Sequence, residues 1–191
     1  MHGAMPLTPE VFRAKYPLIL GWIEETLAAH AGQARRVVDL KFPRLPAYFG
    51  PDLLATAKVV TVDRLPVPPL SQMGLTQFAD WESGGYAGIT YRDTFFVIRG
   101  EAANEALHFH DLIHVVQWRL LGPERFIAAY AAGLEGFGYR DSPLEATAYD
   151  LEEGSKPRRR SSTPRKRLRP VYRRRFEPSA HTVGRGRSTR S

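Results

Sequence analysis

The chain has 191 residues, 43% of them hydrophobic, no cysteine, and a formal net charge of +7. That length suggests one domain with apolar content for a real core. The missing cysteine excludes disulfides, cysteine nucleophiles and thiolate metal ligands. No apolar run approaches the ~18 residues that a membrane span needs. The start, MHGAMPLTPEVFRAKYP, has no basic stretch leading into an apolar one, so no signal peptide is expected and a cytoplasmic location is.

In chain order, Thr8-Pro9-Glu10 reads as a helix start: a capping hydroxyl, proline at the first helical position, then an acid. A second helix is expected to follow Pro17, with Leu20, Ile23 and Leu27 on one buried face. Residues 57–65, AKVVTVDRL, are rich in β-branched side chains and predict a strand. A long loop with one helical turn follows. Residues 86–100, YAGITYRDTFFVIRG, predict a hairpin turning near Tyr91-Arg92-Asp93. A helix is expected over residues 101–121, stopped by Gly122. Pro123 opens the next helix, and Ser142-Pro143 a last one.

The charge divides the chain in two. Of the 27 Lys and Arg, 14 fall in residues 154–191 beside a single Glu, while residues 1–153 hold the other 13 against 19 acids. The body is acidic and the tail strongly basic. The tail, 154–191, has few apolar residues and no period, which predicts a disordered segment. Its arginine clusters at 158–160, 165–169 and 173–175 would attract nucleic acid or another acidic surface through nonspecific counterion release. A solvated cationic tail without a partner is the plain alternative.

The chemistry concentrates in residues 105–118, EALHFHDLIHVVQW. His110 and His114 are four residues apart, so a helix stacks them on one face with Cβ atoms about 5–6 Å apart. Two imidazoles so placed can reach one zinc ion. The carboxylate of Asp111 sits at the edge of that face, where it can hold a metal-bound water and accept its proton. His108 points to roughly the opposite side and is excluded as a ligand. A buried pair of imidazoles needs partners, and a metal supplies them. Two core histidines bonded to backbone carbonyls are the other reading of the same spacing.

HDLIHVVQW resembles the active helix of the zincin metallopeptidases, whose signature is His-Glu-x-x-His. It is most similar to small bacterial zincin-like proteins in which a strand pair precedes an HELxHVxQ motif. The resemblance covers residues 86–153: the GITYRDTFFVIRG hairpin, the histidine helix and SPLEATAYDLEE. It implies an α+β fold, with a small sheet beside the active helix and N-terminal helices covering it. It also implies a gluzincin arrangement, in which His110, His114 and a later glutamate, Glu145, hold zinc and Asp111 takes the proton of an activated water. The implied activity is a zinc-dependent hydrolase of the metallopeptidase type, acting on a peptide or protein. Asp111 stands where the family has its catalytic glutamate, one methylene shorter, so metal binding is implied more strongly than hydrolysis. The family's acid four residues after the ligand glutamate is replaced by Tyr149. Tyr149 and Asp150 are both candidates to bond a ligand histidine, and Tyr139 is a candidate oxyanion donor.

Three alternatives stand beside this. Ser142-Pro143-Leu144-Glu145 has the pattern of a capping box, in which Glu145 would return to the backbone of its own helix. HDLIH also resembles the adjacent His-Asp ligands of the HD-type phosphohydrolases, an all-helical family; the hairpin argues against it. A zincin-like scaffold that binds metal or a partner without catalysis is the third.

Overall fold

The computed structural model describes residues 6–155; the basic tail, apart from its first two residues, lies outside the described residues. The chain forms α1 (Pro9–His30), β1 (Arg35–Arg36), α2 (Pro51–Thr56), β2 (Lys58–Val62), α3 (Ala79–Glu82), β3 (Gly88–Tyr91), β4 (Thr94–Ile98), α4 (Glu105–Phe137) and α5 (Pro143–Ser155). It is an α+β fold with one four-stranded sheet in the order β1-β2-β4-β3. Among the described residues no helix is long and apolar enough to cross a membrane.

Thr8 caps α1 as expected, accepting from the Val11 N–H. The expected break at Pro17 does not occur: α1 runs through it to His30. A proline inside a helix leaves the carbonyl four residues earlier without its donor. Here Arg13, Ala14, Pro17 and Leu18 all lie on the exposed face, the side on which solvent can stand in for the missing donor. Ile19 and Ile23 are buried on the other side.

The hairpin forms where predicted, with Tyr91 opposite Thr94. Its two-residue turn places Arg92 at φ 55°, the left-handed region that such turns demand. β2 pairs with β4 in parallel, setting Val59 beside Phe95 and Val60 beside Phe96. Alternation then separates two cores. Val59, Phe95 and Val97 pack with Phe109, Leu112 and Val115 of α4. Val60 and Phe96 pack with Ile19 and Ile23 of α1 and with Trp118. The two-residue β1 was not expected; it is too short to carry a pattern.

α4 starts at Glu105 rather than near 101, because the Asn104 side chain accepts from the Ala106 and Leu107 N–H groups and fixes the cap there. Gly122, at φ 73°, interrupts it at the predicted place, and Pro123 begins its second arm. Residues 105–121 thus lay one stripe, Phe109-Leu112-Val115, on the sheet. The adjacent stripe, His110-His114-Gln117, is left to face α5.

Candidate metal centre

His110, His114 and Glu145 are all buried, and together they form the one group among the described residues arranged to hold a metal ion. The two Nε2 atoms lie 3.1 Å apart. Glu145 Oε2 is 3.2 Å from His110 Nε2, and Oε1 is 3.3 Å from His114 Nε2. Ligands bonded to zinc at about 2.0–2.1 Å in a tetrahedron are about 3.3–3.4 Å apart. Each pair stands close to that spacing, with a different carboxylate oxygen facing each histidine, and one donor atom from each residue lies within 4.8 Å of the other two.

Hydrogen bonds around these atoms set their lone pairs. The Gln117 amide donates from Nε2 to the Leu144 carbonyl at 3.0 Å. Its Oε1 therefore faces His114 Nδ1, at 2.8 Å, as acceptor. The proton of a neutral His114 belongs on Nδ1, and the Nε2 lone pair points at Glu145 and His110. The Tyr130 hydroxyl donates to Glu145 Oε1 at 2.7 Å.

Burial alone would raise the Glu145 carboxyl, but the two imidazoles and the Tyr130 hydroxyl outweigh it and hold the group well below the usual carboxylate range. Burial lowers His114, while the bond and charge of Glu145, then Asp111 and Gln117, raise it by more. A raised imidazole beside a lowered carboxylate is a strongly coupled buried pair, of the kind that clusters at functional sites.

Asp111 is buried against β3. Thr90 Oγ1 donates to its Oδ1 at 2.9 Å, and Trp118 Nε1 holds the Thr90 carbonyl at 3.1 Å. Oδ2 is buried without a hydrogen-bond partner and lies so close to Gly88 that a Cβ there would overlap it. Burial pushes the Asp111 carboxyl up to about 6, against the opposing pull of His110, His114 and Thr90. Asp111 lines a cavity of about 370 Å³ with His110, His114 and Glu145, walled by Tyr86, Tyr139 and Tyr149.

The capping box does not form. The Ser142 hydroxyl is buried without a partner, and the Glu145 carboxylate is turned to the histidines and Tyr130. Tyr149 packs against the His110 ring at 4.5 Å between centroids, tilted by 52°, and the Arg140 guanidinium lies over the Tyr149 ring. Asp150 is exposed and does not join the site. Tyr139 lies in the cavity wall, 4.6 Å from the Tyr86 ring. Burial raises its hydroxyl, with Glu145 adding to the effect, so it stays a neutral donor. His108 is turned away, its Nε2 at 3.0 Å from the Ala102 carbonyl.

Gln117, Tyr130, Thr90 and Gly88 were not singled out from the sequence. Gln117 had a signal in its spacing, seven residues after His110 on the same stripe. The others reach the site only through tertiary packing.

Comparison with protein-family models, with curated proteins and with solved structures finds no match to this chain. The chemistry of the site is therefore read from its donor atoms.

Proposed function

We propose that His110, His114 and Glu145 hold a zinc ion and that the chain is a zinc-dependent, metallopeptidase-like hydrolase acting on a peptide or protein. The observation that carries this reading is the burial of two imidazole Nε2 atoms 3.1 Å apart, each within 3.3 Å of an oxygen of the same carboxylate. A set of two imidazoles and one carboxylate suits zinc, and as three protein ligands it leaves a position open. The ion would supply Lewis acidity and a water of lowered pKa.

The chain's own residues do the rest. Gln117 keeps His114 Nε2 deprotonated toward the site, and Tyr130 fixes the Glu145 carboxylate. Asp111, on the wall of the same cavity, is the chain's proton acceptor. Its raised value of about 6 suits a base working near neutral pH. Tyr86, Tyr139 and Tyr149 exclude water from one side of the cavity. The mixed fold, with a strand pair leading into the histidine helix, supports the zincin resemblance. The phosphohydrolase alternative needs Asp111 as a ligand. Asp111 is instead bonded to Thr90, which weighs against it.

Metal analysis of the full chain tests this. About one zinc per chain is expected, lost in His110→Ala, His114→Ala and Glu145→Ala. Asp111→Asn should keep the zinc and lose hydrolysis of a peptide panel. Equal zinc in wild type and all three ligand variants would refute the metal site. Zinc without hydrolysis in wild type would leave the non-catalytic scaffold as the better reading.

A further inference from the structure

His110 and His114 are held differently at their remote nitrogens. His114 Nδ1 has the Gln117 amide at hydrogen-bond distance. His110 Nδ1 is buried and has no hydrogen-bond partner; facing it at 3.6 Å is Glu152 Oε2. Glu152 lies seven residues after Glu145 on α5. Seven residues is close to two helical turns, so both side chains leave the same stripe of the helix. One helix thus brings two carboxylates to the two nitrogens of a single ring, Glu145 to Nε2 and Glu152 to Nδ1.

The end of α5 is built to keep Glu152 at that height. The Ser155 hydroxyl donates to the Glu152 carbonyl at 2.6 Å. Arg44 Nη2 donates to the Ser155 carbonyl at 2.5 Å, and the Tyr48 hydroxyl donates to the same oxygen at 3.1 Å. The loop bearing Arg44 is itself tied to α4, since the Arg44 and Leu45 N–H groups both donate to Glu105 Oε1. The start of the histidine helix and the end of α5 are therefore clamped through one loop. Tyr149, packed at a tilt against the His110 ring, limits how far that ring can turn away.

We infer that Glu152 is a positioning residue for His110: its carboxylate is the acceptor toward which Nδ1–H donates, which holds the proton on Nδ1 and keeps Nε2 as the lone-pair nitrogen facing Glu145. This rests on the zinc reading above. A neutral imidazole can ligate through Nε2 only when the proton is on Nδ1, and an acceptor at Nδ1 fixes that tautomer and makes the ring a stronger donor. The geometry puts this role on Glu152, not on Tyr149 or Asp150. It pairs a charged acceptor with His110 and a neutral one with His114.

The test uses the full chain as wild type, Glu152→Gln and Glu152→Ala. Zinc affinity is measured by competition with a chromophoric chelator, and the His110 tautomer by ¹⁵N spectra of the imidazoles. Loss of an acceptor behind a ligand histidine weakens metal binding by about 10- to 100-fold. The alanine variant is expected near the upper end and the glutamine variant, which keeps an acceptor oxygen, near the lower. The His110 signal should leave the Nδ1–H form in Glu152→Ala while His114 is unchanged. Affinity within twofold of wild type in both variants would overturn the assignment, as would a changed melting temperature with an unmoved His110 tautomer. Zinc binding abolished as completely as in Glu145→Ala would make Glu152 a ligand, which also overturns it. A wild type that binds no zinc removes the zinc reading and this assignment with it; a wild type that binds while the variants match it removes this assignment alone. If Glu152→Ala does not fold, the near-isosteric glutamine variant decides.

Discussion

Gly88→Ala is a small change with a large expected cost. An alanine Cβ at residue 88 would overlap Asp111 Oδ2 and crowd the rest of the carboxylate. Asp111 cannot easily retreat, because it is 2% exposed and its Oδ1 is bonded to Thr90 at 2.9 Å. Overpacking of this kind costs about 1–3 kcal/mol. The backbone at 88 is not in the left-handed region, so the alanine meets no conformational penalty of its own. Against a shortened neighbour the sign should change. In an Asp111→Ala background the clash disappears, and replacing a strand glycine by alanine should stabilise by about 0.4–1 kcal/mol through the unfolded state. A double-mutant cycle by urea unfolding of the four proteins should therefore give a coupling of about 1–4 kcal/mol. The same cost for Gly88→Ala in both backgrounds would refute the claim that Asp111 is the group glycine makes room for.

Two further outcomes follow from the same site. In the chelator-stripped chain, Asp111→Asn should stabilise at pH 7.5 and hardly at all at pH 4. The folded carboxyl titrates near 6 against an ordinary 3.8, so the folded state holds more protons within that window. Wild-type stability then falls as pH rises through it, by roughly 3 kcal/mol at ~1.4 kcal/mol per pH unit, and asparagine escapes the loss. A gain that did not depend on pH, measured by urea unfolding across that range, would contradict this. Tyr130→Phe keeps the stacking on Phe126 but removes the 2.7 Å bond to Glu145. It should cost about 1–3 kcal/mol, and a thermal or urea midpoint equal to wild type would count against it.

The pair His110 and His114, the hairpin, and the Gly122-Pro123 break were legible because each is a local rule: a four-residue spacing, a turn between β-branched runs, a glycine followed by a proline. Pro17 misled because the rule against helical proline is local, whereas its tolerance depends on which face meets water. The Ser142–Glu145 pattern was ambiguous for the same reason. Capping and ligation use the same carboxylate, and only the approach of α4 decides between them. Gln117 and Glu152 each sit seven residues from a ligand on the same helix, so their spacing was visible. What was not visible was that the two helices would face each other along those stripes.

The parallel pairing of β2 with β4 has a consequence for how the chain folds. β3 and β4 are joined by a two-residue turn, and such hairpins close in about 1–10 μs. β2 meets β4 only after the proline-rich segment and all of β3 have been looped out, and closing a long loop carries an entropy cost that no local contact repays in advance. The hairpin is therefore expected to exist before the sheet does. On that order Val59 and Val60 join the two faces after the hairpin has closed, and the wall on which the histidine helix rests is incomplete until they do.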